Sequence, residues 1–240
     1  MKNLKLSVLL VVLGMVGCAS VPTPDPVIEL SKKQMGADAN IQLGMAYLQK
    51  PDVRLAKQKF LNAMQLTPEY PPVWYAMAYY LEATGENARA NEYYLQAITL
   101  APQSGDAQNN YGTFLCHTGK PQEAISHFLL ATQDPDYIDT AASYENAGLC
   151  ALTIPDVNRA KEYFSKAVTQ NPLQTRSLAE LAAIHAEQGQ YAEAQNILKS
   201  LLLFEQLSPR VLQLAANTAK KIHQPEEARM FLDRLRKSTS

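Results

Sequence analysis

Two stretches of the chain, one 34 positions after the other, decide the fold. Residues 44–68 read GMAYLQKPDVRLAKQKFLNAMQLTP, and residues 78–102 read AYYLEATGENARANEYYLQAITLAP. Small residues, an aromatic ring and a proline recur at matching places, so each stretch is one copy of a repeated unit. The recurring residues are Gly44, Ala56, Phe60, Ala63 and Pro68 in the first copy, and Ala78, Ala90, Tyr94, Ala97 and Pro102 in the second.

The same period continues toward the C-terminus. The third unit follows at the same step, and the fourth lies 36 residues beyond it, which places a two-residue insertion near residues 134–137. The fifth and sixth units are weaker copies of the pattern. A repeat that fills most of the chain predicts one solenoid rather than two globular domains. The units occupy residues 37–70, 71–104, 105–138, 141–174, 175–208 and 209–240.

Each recurring residue type has a packing reason in a helix-turn-helix unit. A small residue in the first helix and another in the second allow the two helices to approach closely. Glycine in the turn between them takes a left-handed backbone at little cost, and proline ends the second helix. A large apolar side chain then fills the gap between units. These fillers are Phe60, Tyr94, Phe128, Phe164, Leu198 and Leu232.

A 34-residue unit with these residues resembles the tetratricopeptide repeat. The resemblance implies an all-α superhelical solenoid of six helix pairs, with the first helix of each pair lining a concave face. Each unit buries its apolar face only against its neighbours, and six units are enough for a stable array. Such a solenoid is a scaffold for binding peptides or proteins, so the fold alone does not give the function.

The composition argues against a nucleic-acid partner and against catalysis. With 22 basic and 23 acidic residues, the chain has no positive excess to neutralise phosphates. His117, His127, His185 and His223 have no metal-ligand partner at helical spacing, and no phosphate-binding loop or hydrolase motif occurs. We therefore expect a protein that is not an enzyme and that needs no cofactor, metal or small-molecule substrate.

The N-terminal segment, MKNLKLSVLLVVLGMVGCAS, has the pattern of a secretory signal peptide. Lys2 and Lys5 precede an apolar run, Leu6–Val16, that is shorter than the about 20 residues needed to span a bilayer. The sequence Met15-Val16-Gly17-Cys18 resembles the bacterial lipobox, which implies cleavage before Cys18 and acylation of that cysteine. An ordinary signal peptide with an incidental cysteine is the alternative.

The residues that follow Cys18 predict where the protein is anchored. By resemblance to the sorting rule of Gram-negative lipoproteins, Ala19 and Ser20 imply export to the outer membrane, on its periplasmic side. Prolines at positions 22, 24 and 26 favour an extended tether over a helix. We therefore expect a removed signal peptide (residues 1–17), a lipidated N-terminus with tether and lead-in (18–36), and a repeat domain (37–240).

Cys116 and Cys150 are the two cysteines that remain once Cys18 is assigned to the lipid. Export places them in an oxidising compartment, where thiols tend to pair. They lie near the ends of the first helices of units three and four, which are adjacent in a solenoid, so a Cα separation of about 5.5 Å is within reach. Two independently buried thiols are the alternative to this disulfide.

The positions that face the concave groove in tetratricopeptide proteins define a candidate partner-binding surface. The N-terminal part is apolar and aromatic and suits a hydrophobic peptide, whereas unit six is basic. Packing within the chain is the alternative explanation for the apolar side chains. The groove candidates are Ile41, Met45, Leu48, Tyr75, Tyr79, Glu82, Asn109 and Thr113, and unit six presents Arg210, Gln213, Asn217, Lys220 and Lys221.

The whole architecture narrows the choice of family. A lipobox, outer-membrane sorting residues, a short tether, regular repeats and a cysteine pair together resemble the type IV pilus biogenesis lipoproteins of the PilF/PilW family. That resemblance implies a pilotin, which binds the outer-membrane secretin subunit and promotes its localisation and assembly into a multimer. The alternatives are a scaffold lipoprotein like the barrel-assembly subunit BamD, whose repeats are less regular, and an NlpI-like adaptor of cell-wall hydrolases.

Overall fold

The computed structural model describes residues 26–50, 52–204 and 207–238. The predicted signal peptide, Cys18 and the predicted tether therefore lie outside the described residues. The described chain forms twelve α-helices and no strand. The helices are α1 (Pro26–Gln49), α2 (Val53–Leu66), α3 (Pro71–Ala83), α4 (Asn87–Leu100), α5 (Gly105–His117), α6 (Pro121–Ala131), α7 (Thr140–Ala151), α8 (Val157–Gln170), α9 (Thr175–Glu187), α10 (Tyr191–Ser200), α11 (Pro209–Lys221) and α12 (Pro225–Ser238), and a short 3₁₀ turn, Leu201–Leu203, follows α10.

Consecutive helices pack as six helix-turn-helix pairs, and each pair packs against the next. The first helices of neighbouring pairs also approach one another, from α1 and α3 through to α9 and α11. Among the described helices, the second helices of neighbouring pairs make no such approach. The first helices therefore lie on the inner side of a curved array and the second helices on its outer side, which confirms the predicted all-α solenoid.

Glycines in the first helices leave room for aromatic rings from the second. A Cβ atom on Gly44 would lie 2.7 Å from the ring of Phe60, and one on Gly148 would lie 2.6 Å from the ring of Phe164. These distances are too short for any side chain, so only glycine permits this close packing. The Phe60 ring also lies 6.0 Å from the ring of Tyr80 in the next pair, and so fills the gap between units.

The last pair differs from the predicted pattern by one residue. Leu232 is the filler that the period predicts, but Phe231 is the fully buried side chain and Leu232 is only half-buried. One residue is about 100° of rotation around a helix, so α12 presents a different side to its partner. The helix lies at the end of the described array, where no following pair constrains it.

Three turns between helices of a pair use glycine in the left-handed region. Gly85, Gly119 and Gly189 have φ angles of 81°, 80° and 76°. His223 takes the same place in the last pair with φ 57°, and it is the single non-glycine residue with positive φ among the described residues.

The inserted residues form a packed connection between α6 and α7. Tyr137 is buried there and lies so close to Gly105 that a Cβ atom on that glycine would be 2.3 Å from the tyrosine ring. The Oδ2 atom of Asp134 accepts a hydrogen bond of 2.7 Å from the backbone N–H of Gly105. The insertion thus closes over the start of α5 and keeps the third and fourth pairs in contact.

The first helix is longer than the predicted first unit. The predicted lipidated N-terminus, tether and lead-in extend to residue 36 and the first unit begins at 37, but α1 runs without a break from Pro26 to Gln49. Proline is well tolerated in the first turn of a helix, where its missing N–H has no partner to lose. No helix among the described residues has both the length and the apolar character needed to cross a membrane.

Two large apolar clusters hold the array together. The main core extends from Ala56 in α2 to Ile184 in α9 and contains the aromatic fillers of the first four pairs. The C-terminal core joins α9 and α10 to the last pair through Leu178, Leu198 and Phe231, among other residues.

Candidate functional site

The inner groove is the surface formed by the first helices α1, α3, α5, α7, α9 and α11. Four of its predicted apolar residues lie at the edge of the main core. Ile41, Met45, Leu48 and Tyr75 are half-buried and pack against core side chains. Burial, and then the charge of Asp106, raises the pKa of the Tyr75 hydroxyl above its ordinary value. Packing within the chain therefore accounts for much of this predicted cluster.

Tyr79 is the exposed aromatic residue of the predicted groove. Its side chain is 46% exposed, whereas Tyr80 beside it is buried in the main core. Adjacent residues on a helix point about 100° apart, which explains why one ring packs inside and the other faces outward. Tyr79 therefore offers a large apolar surface, with a hydroxyl at its tip, for contact with a partner.

Glu82 links two neighbouring first helices on the same face. Its Oε1 atom lies 2.9 Å from Nδ1 of His117 in α5. Its Oε2 atom accepts a hydrogen bond of 3.2 Å from the hydroxyl of Tyr94 in α4. Burial, and then the charge of Glu82, raises the pKa of Tyr94 above its ordinary value, so this phenol stays a hydrogen-bond donor. The Glu82 carboxylate is thus held in place by two side chains.

Asn109 connects the third pair with the fourth. Its Oδ1 atom accepts hydrogen bonds from Oγ of Ser143 at 2.9 Å and from Nδ2 of Asn146 at 3.0 Å. The hydroxyl of Thr113 donates to the backbone carbonyl of Asn109 at 3.0 Å. Asn109 is therefore engaged in holding α5 and α7 together, whereas the hydroxyl of Thr113 is bonded within α5.

Similar polar contacts continue along the groove, and they were not predicted from the sequence. Glu145 in α7 accepts hydrogen bonds from the backbone N–H and the hydroxyl of Ser177 in α9, at 3.1 and 2.8 Å. Glu180 in α9 accepts two hydrogen bonds from Arg210 in α11, at 2.7 and 3.1 Å. The 34-residue spacing of Ser143 and Ser177 is the sequence feature that could have indicated these contacts. Both serines are fully buried in the structure.

The far end of the groove is less basic than its composition suggests. Arg210 is paired with Glu180, so its charge is locally balanced. A cavity of about 330 Å³ opens beside this pair between α9 and α11. Its lining includes Arg176, Ala179, Val211 and Leu214. This end therefore has an apolar floor with charged edges rather than a uniformly solvated surface.

Cys116 and Cys150 are joined by a disulfide between α5 and α7, with a Cα–Cα separation of 5.9 Å. The bond lies next to His117 and crosses the same junction as the Asn109 contacts. The third and fourth pairs, which flank the insertion, are therefore linked covalently as well as by hydrogen bonds.

Two other histidines make local hydrogen bonds with glutamine side chains. Nδ1 of His127 lies 2.6 Å from Oε1 of Gln108, and Nδ1 of His185 lies 2.7 Å from Oε1 of Gln190. Within the described ranges, no group of three or more His, Cys, Asp or Glu side chains is arranged to hold a metal ion.

Comparison with known proteins identifies the family. Tetratricopeptide repeat models match residues 75–138 and residues 156–218. The type IV pilus assembly protein PilF of Pseudomonas aeruginosa is 30% identical over 188 residues, which are 78% of this chain and 75% of that protein. This chain belongs to the PilF/PilW family. The family consists of type IV pilus biogenesis factors built from tetratricopeptide repeats, and the sequence architecture predicted this membership.

Solved structures of the PilF/PilW family have the same fold. A structure of Pseudomonas aeruginosa PilF matches with a TM-score of 0.74 at 28% identity, covering 86% of this chain and 93% of that one. The crystal structure of PilW, described as a widely conserved type IV pilus biogenesis factor, matches with a TM-score of 0.68 at 26% identity, covering 83% and 91% of the two chains. The likeness to both PilF and PilW thus extends over nearly the whole described array.

Proposed function

We propose that this chain is a lipid-anchored pilotin of the type IV pilus. In this proposal Cys18 is acylated and holds the protein on the periplasmic face of the outer membrane. The inner groove binds the secretin subunit and promotes its localisation and its assembly into a multimer. Membership of the PilF/PilW family carries the proposal, and it favours a role in the pilus over barrel assembly or the control of cell-wall hydrolases.

Tyr79 is the centre of the proposed secretin-binding surface. Its exposed ring suits an apolar side chain of the partner, since buried aromatic anchors supply much of the affinity at protein interfaces. The neighbouring Glu82 is held by Tyr94 and His117, so a donor group of the partner meets a carboxylate that is already in position. The surface combines one apolar anchor with one ordered acceptor.

A gene deletion tests the pilotin role. We expect deletion to reduce the secretin multimers seen on a blot and to abolish twitching, and the wild-type gene to restore both. Intact multimers and normal pili in the deletion strain would rule out a pilotin.

Complementation with two matched variants tests the surface. Tyr79→Ala should restore little secretin multimer, whereas Leu95→Ala on α4 should restore it fully, because Leu95 is 44% exposed but lies on an outer helix. Circular dichroism of both purified variants checks that they are folded. Equal restoration by the two variants would remove Tyr79 from the binding surface.

The anchor is tested separately from the groove. Cys18→Ala should leave the helical signal in circular dichroism unchanged, because the described helices begin at Pro26, after the lipidation site. Cell fractionation should then find the variant away from the outer membrane. An outer-membrane location unchanged by Cys18→Ala would refute lipid anchoring at this residue.

A further inference from the structure

The N-terminal part of α1 extends beyond the helix with which α1 is paired. Helix α2 ends at Leu66, and a Cβ atom on Gly36 would lie 3.3 Å from the side chain of that leucine. The buried residues of α1, Ala37 and Gly44, both follow this point. We call Pro26–Met35 the overhang, and at 1.5 Å per residue it is about 15 Å long.

The overhang carries large apolar side chains in contact with solvent. Ile28, Leu30 and Met35 are 54%, 52% and 60% exposed. With 100° between successive residues, these three fall within an arc of about 160° that otherwise holds neutral side chains. The remainder of the circumference is charged. It carries Glu29, Lys32 and Lys33.

The charged side of the overhang suits the surface of a membrane. Glu29 lies in the middle of that side and forms an ion pair of 3.9 Å with Lys33. Lys32 and Lys33 also border the apolar arc, one along each edge. Lysine side chains at such an edge extend their charge toward lipid headgroups while their methylene groups stay against apolar surface. An apolar arc flanked by lysines is typical of helices that lie in a membrane interface.

The predicted lipid anchor keeps the overhang near a bilayer. Pro26 follows Cys18 by eight positions, and a fully extended chain of that length reaches about 27 Å. An acylated Cys18 therefore keeps the start of α1 within about 27 Å of the membrane surface. The tether raises the local concentration of the apolar arc at the bilayer, which favours docking of the helix even where its own affinity for lipid is weak.

We propose that the overhang lies in the interface of the bilayer that holds Cys18, with Ile28, Leu30 and Met35 facing the acyl chains. The inference rests on the proposed acylation of Cys18. Docking of α1 would fix the orientation of the first helix pair, and with it the end of the groove that contains Tyr79, relative to the membrane surface. The partner would then be bound beside the bilayer rather than at the end of a free tether.

Site-specific fluorescence on the full lipidated chain tests this orientation. Because Cys116 and Cys150 are paired, a single introduced cysteine can carry an environment-sensitive dye. Ile28→Cys and Leu30→Cys place the dye on the apolar arc, and Glu29→Cys places it on the charged side of the same helix. Leu95→Cys is a control of similar exposure on another helix. The proteins are reconstituted into vesicles of phosphatidylethanolamine and phosphatidylglycerol that contain a lipid with a nitroxide on its acyl chain.

We expect the dyes at positions 28 and 30 to shift to shorter emission wavelengths and to be quenched at least about twofold more strongly than those at 29 and 95. Equal quenching at all four positions would overturn the proposal. A response at 28 and 30 that requires added secretin would assign the arc to that protein instead. A response that grows with the density of protein in the membrane would assign it to a second copy of the chain.

Flotation of the same vesicles separates this inference from the proposed anchoring. A protein that floats with the vesicles while its dyes at 28 and 30 remain unquenched is anchored but not docked, which overturns the inference alone. A protein that does not float lacks the acyl anchor, which overturns both proposals.

Discussion

The main core and the C-terminal core are built from the same repeated unit, but different contacts hold them together. In the main core, glycines of the first helices admit aromatic rings. A Cβ atom on Gly112, for example, would lie 2.9 Å from the ring of Phe128. In the C-terminal core the equivalent positions are the fully buried Ala182 and Ala216, so each carries a Cβ atom where three of the first four pairs have glycine.

As along the rest of the inner groove, polar contacts join neighbouring pairs at the C-terminal end. Arg210 pairs with Glu180, and Glu227 accepts from Gln195 at 2.9 Å and pairs with Lys199 at 2.7 Å. The cations of these ion pairs are exposed, so each pair contributes about 1 kcal/mol or less. Stability in a repeat array is close to a sum over neighbouring pairs, and the last pair in the described chain has one neighbour. The C-terminal core is therefore expected to open before the main core.

The largest expected effect comes from removing an aromatic filler in each core. Phe164 and Phe231 are both fully buried. Phe164→Ala and Phe231→Ala should therefore each lower the free energy of unfolding of the surrounding helices by about 3–5 kcal/mol. Phe164→Ala lies within the array and should lower the free energy of unfolding of the whole domain. Phe231→Ala should release mainly α11 and α12. Urea unfolding combined with segment-resolved hydrogen exchange measures both effects.

The comparison of the two cores would fail if Phe231→Ala lowered the protection of α3 to α8 as much as Phe164→Ala does. That result would mean that the described array unfolds as one cooperative unit.

Loss of the disulfide should weaken the main core selectively. The bond links residues 34 positions apart, and the chain-entropy model assigns about 3–4 kcal/mol to a loop of that size. The double variant Cys116→Ala with Cys150→Ala should lower the urea midpoint and the protection of α5 to α8, with little change in α11 and α12. Wild-type protein treated with reductant serves as a matched control. Mass spectrometry first confirms that both thiols of the reduced wild-type protein are free. An unchanged urea midpoint in that sample would contradict the prediction.

Periodicity predicts the helix pairs well because the two residues that contact each other within a pair both belong to the same repeat unit. Gly148 and Phe164 lie 16 residues apart in one unit, so a local pattern already encodes a tertiary contact. The same reasoning is wrong for Leu232, since α12 is the last helix that the structure describes and packs against no following pair within the described residues. It also misses the continuity of α1, since a helix extending beyond its partner leaves no recurring mark in a repeat.

The groove was harder to predict than the fold. Position in the repeat places Ile41, Met45 and Leu48 on a first helix, but how far each is covered depends on side chains from other helices. Tyr75 and Tyr79 are both groove positions, yet only Tyr79 is well exposed. Contacts such as Ser177 with Glu145 join residues about one repeat apart, and residue types alone do not select the partner.

A smaller effect is expected at the turn of the last pair. His223 has φ 57°, where Gly189 stands one repeat earlier with φ 76°. A side chain in the left-handed region costs about 1 kcal/mol, so His223→Gly should stabilise α11 and α12 by about 0.5–1 kcal/mol. Hydrogen exchange of these two helices gives the measurement. The reciprocal variant Gly189→His should destabilise its own pair, and a stabilising result there would contradict the explanation.

The smallest expected effect is a pH dependence of the main core. His127 in α6 is half-buried against the ring of Tyr111, with ring centroids 4.7 Å apart, and burial lowers the pKa of its imidazole below the ordinary value of 6.5. Glu123 opposes that shift but does not reverse it. The neutral ring donates from Nδ1 to Oε1 of Gln108, whose Nε2 donates to the carbonyl of Pro102.

Below pH 6.5 the unfolded chain takes up a proton on His127 more readily than the folded chain does, so stability should fall as the pH drops through that range. Protection of α5 and α6 should therefore decrease between pH 7.5 and pH 5.5 more in the wild type than in His127→Gln, which cannot titrate. The two proteins are compared by the change in protection between pH 7.5 and pH 5.5, because the substitution also changes local packing at every pH. An equal decrease in both proteins would show that other groups cause it, and α11 and α12 provide the internal reference because they lie outside the main core.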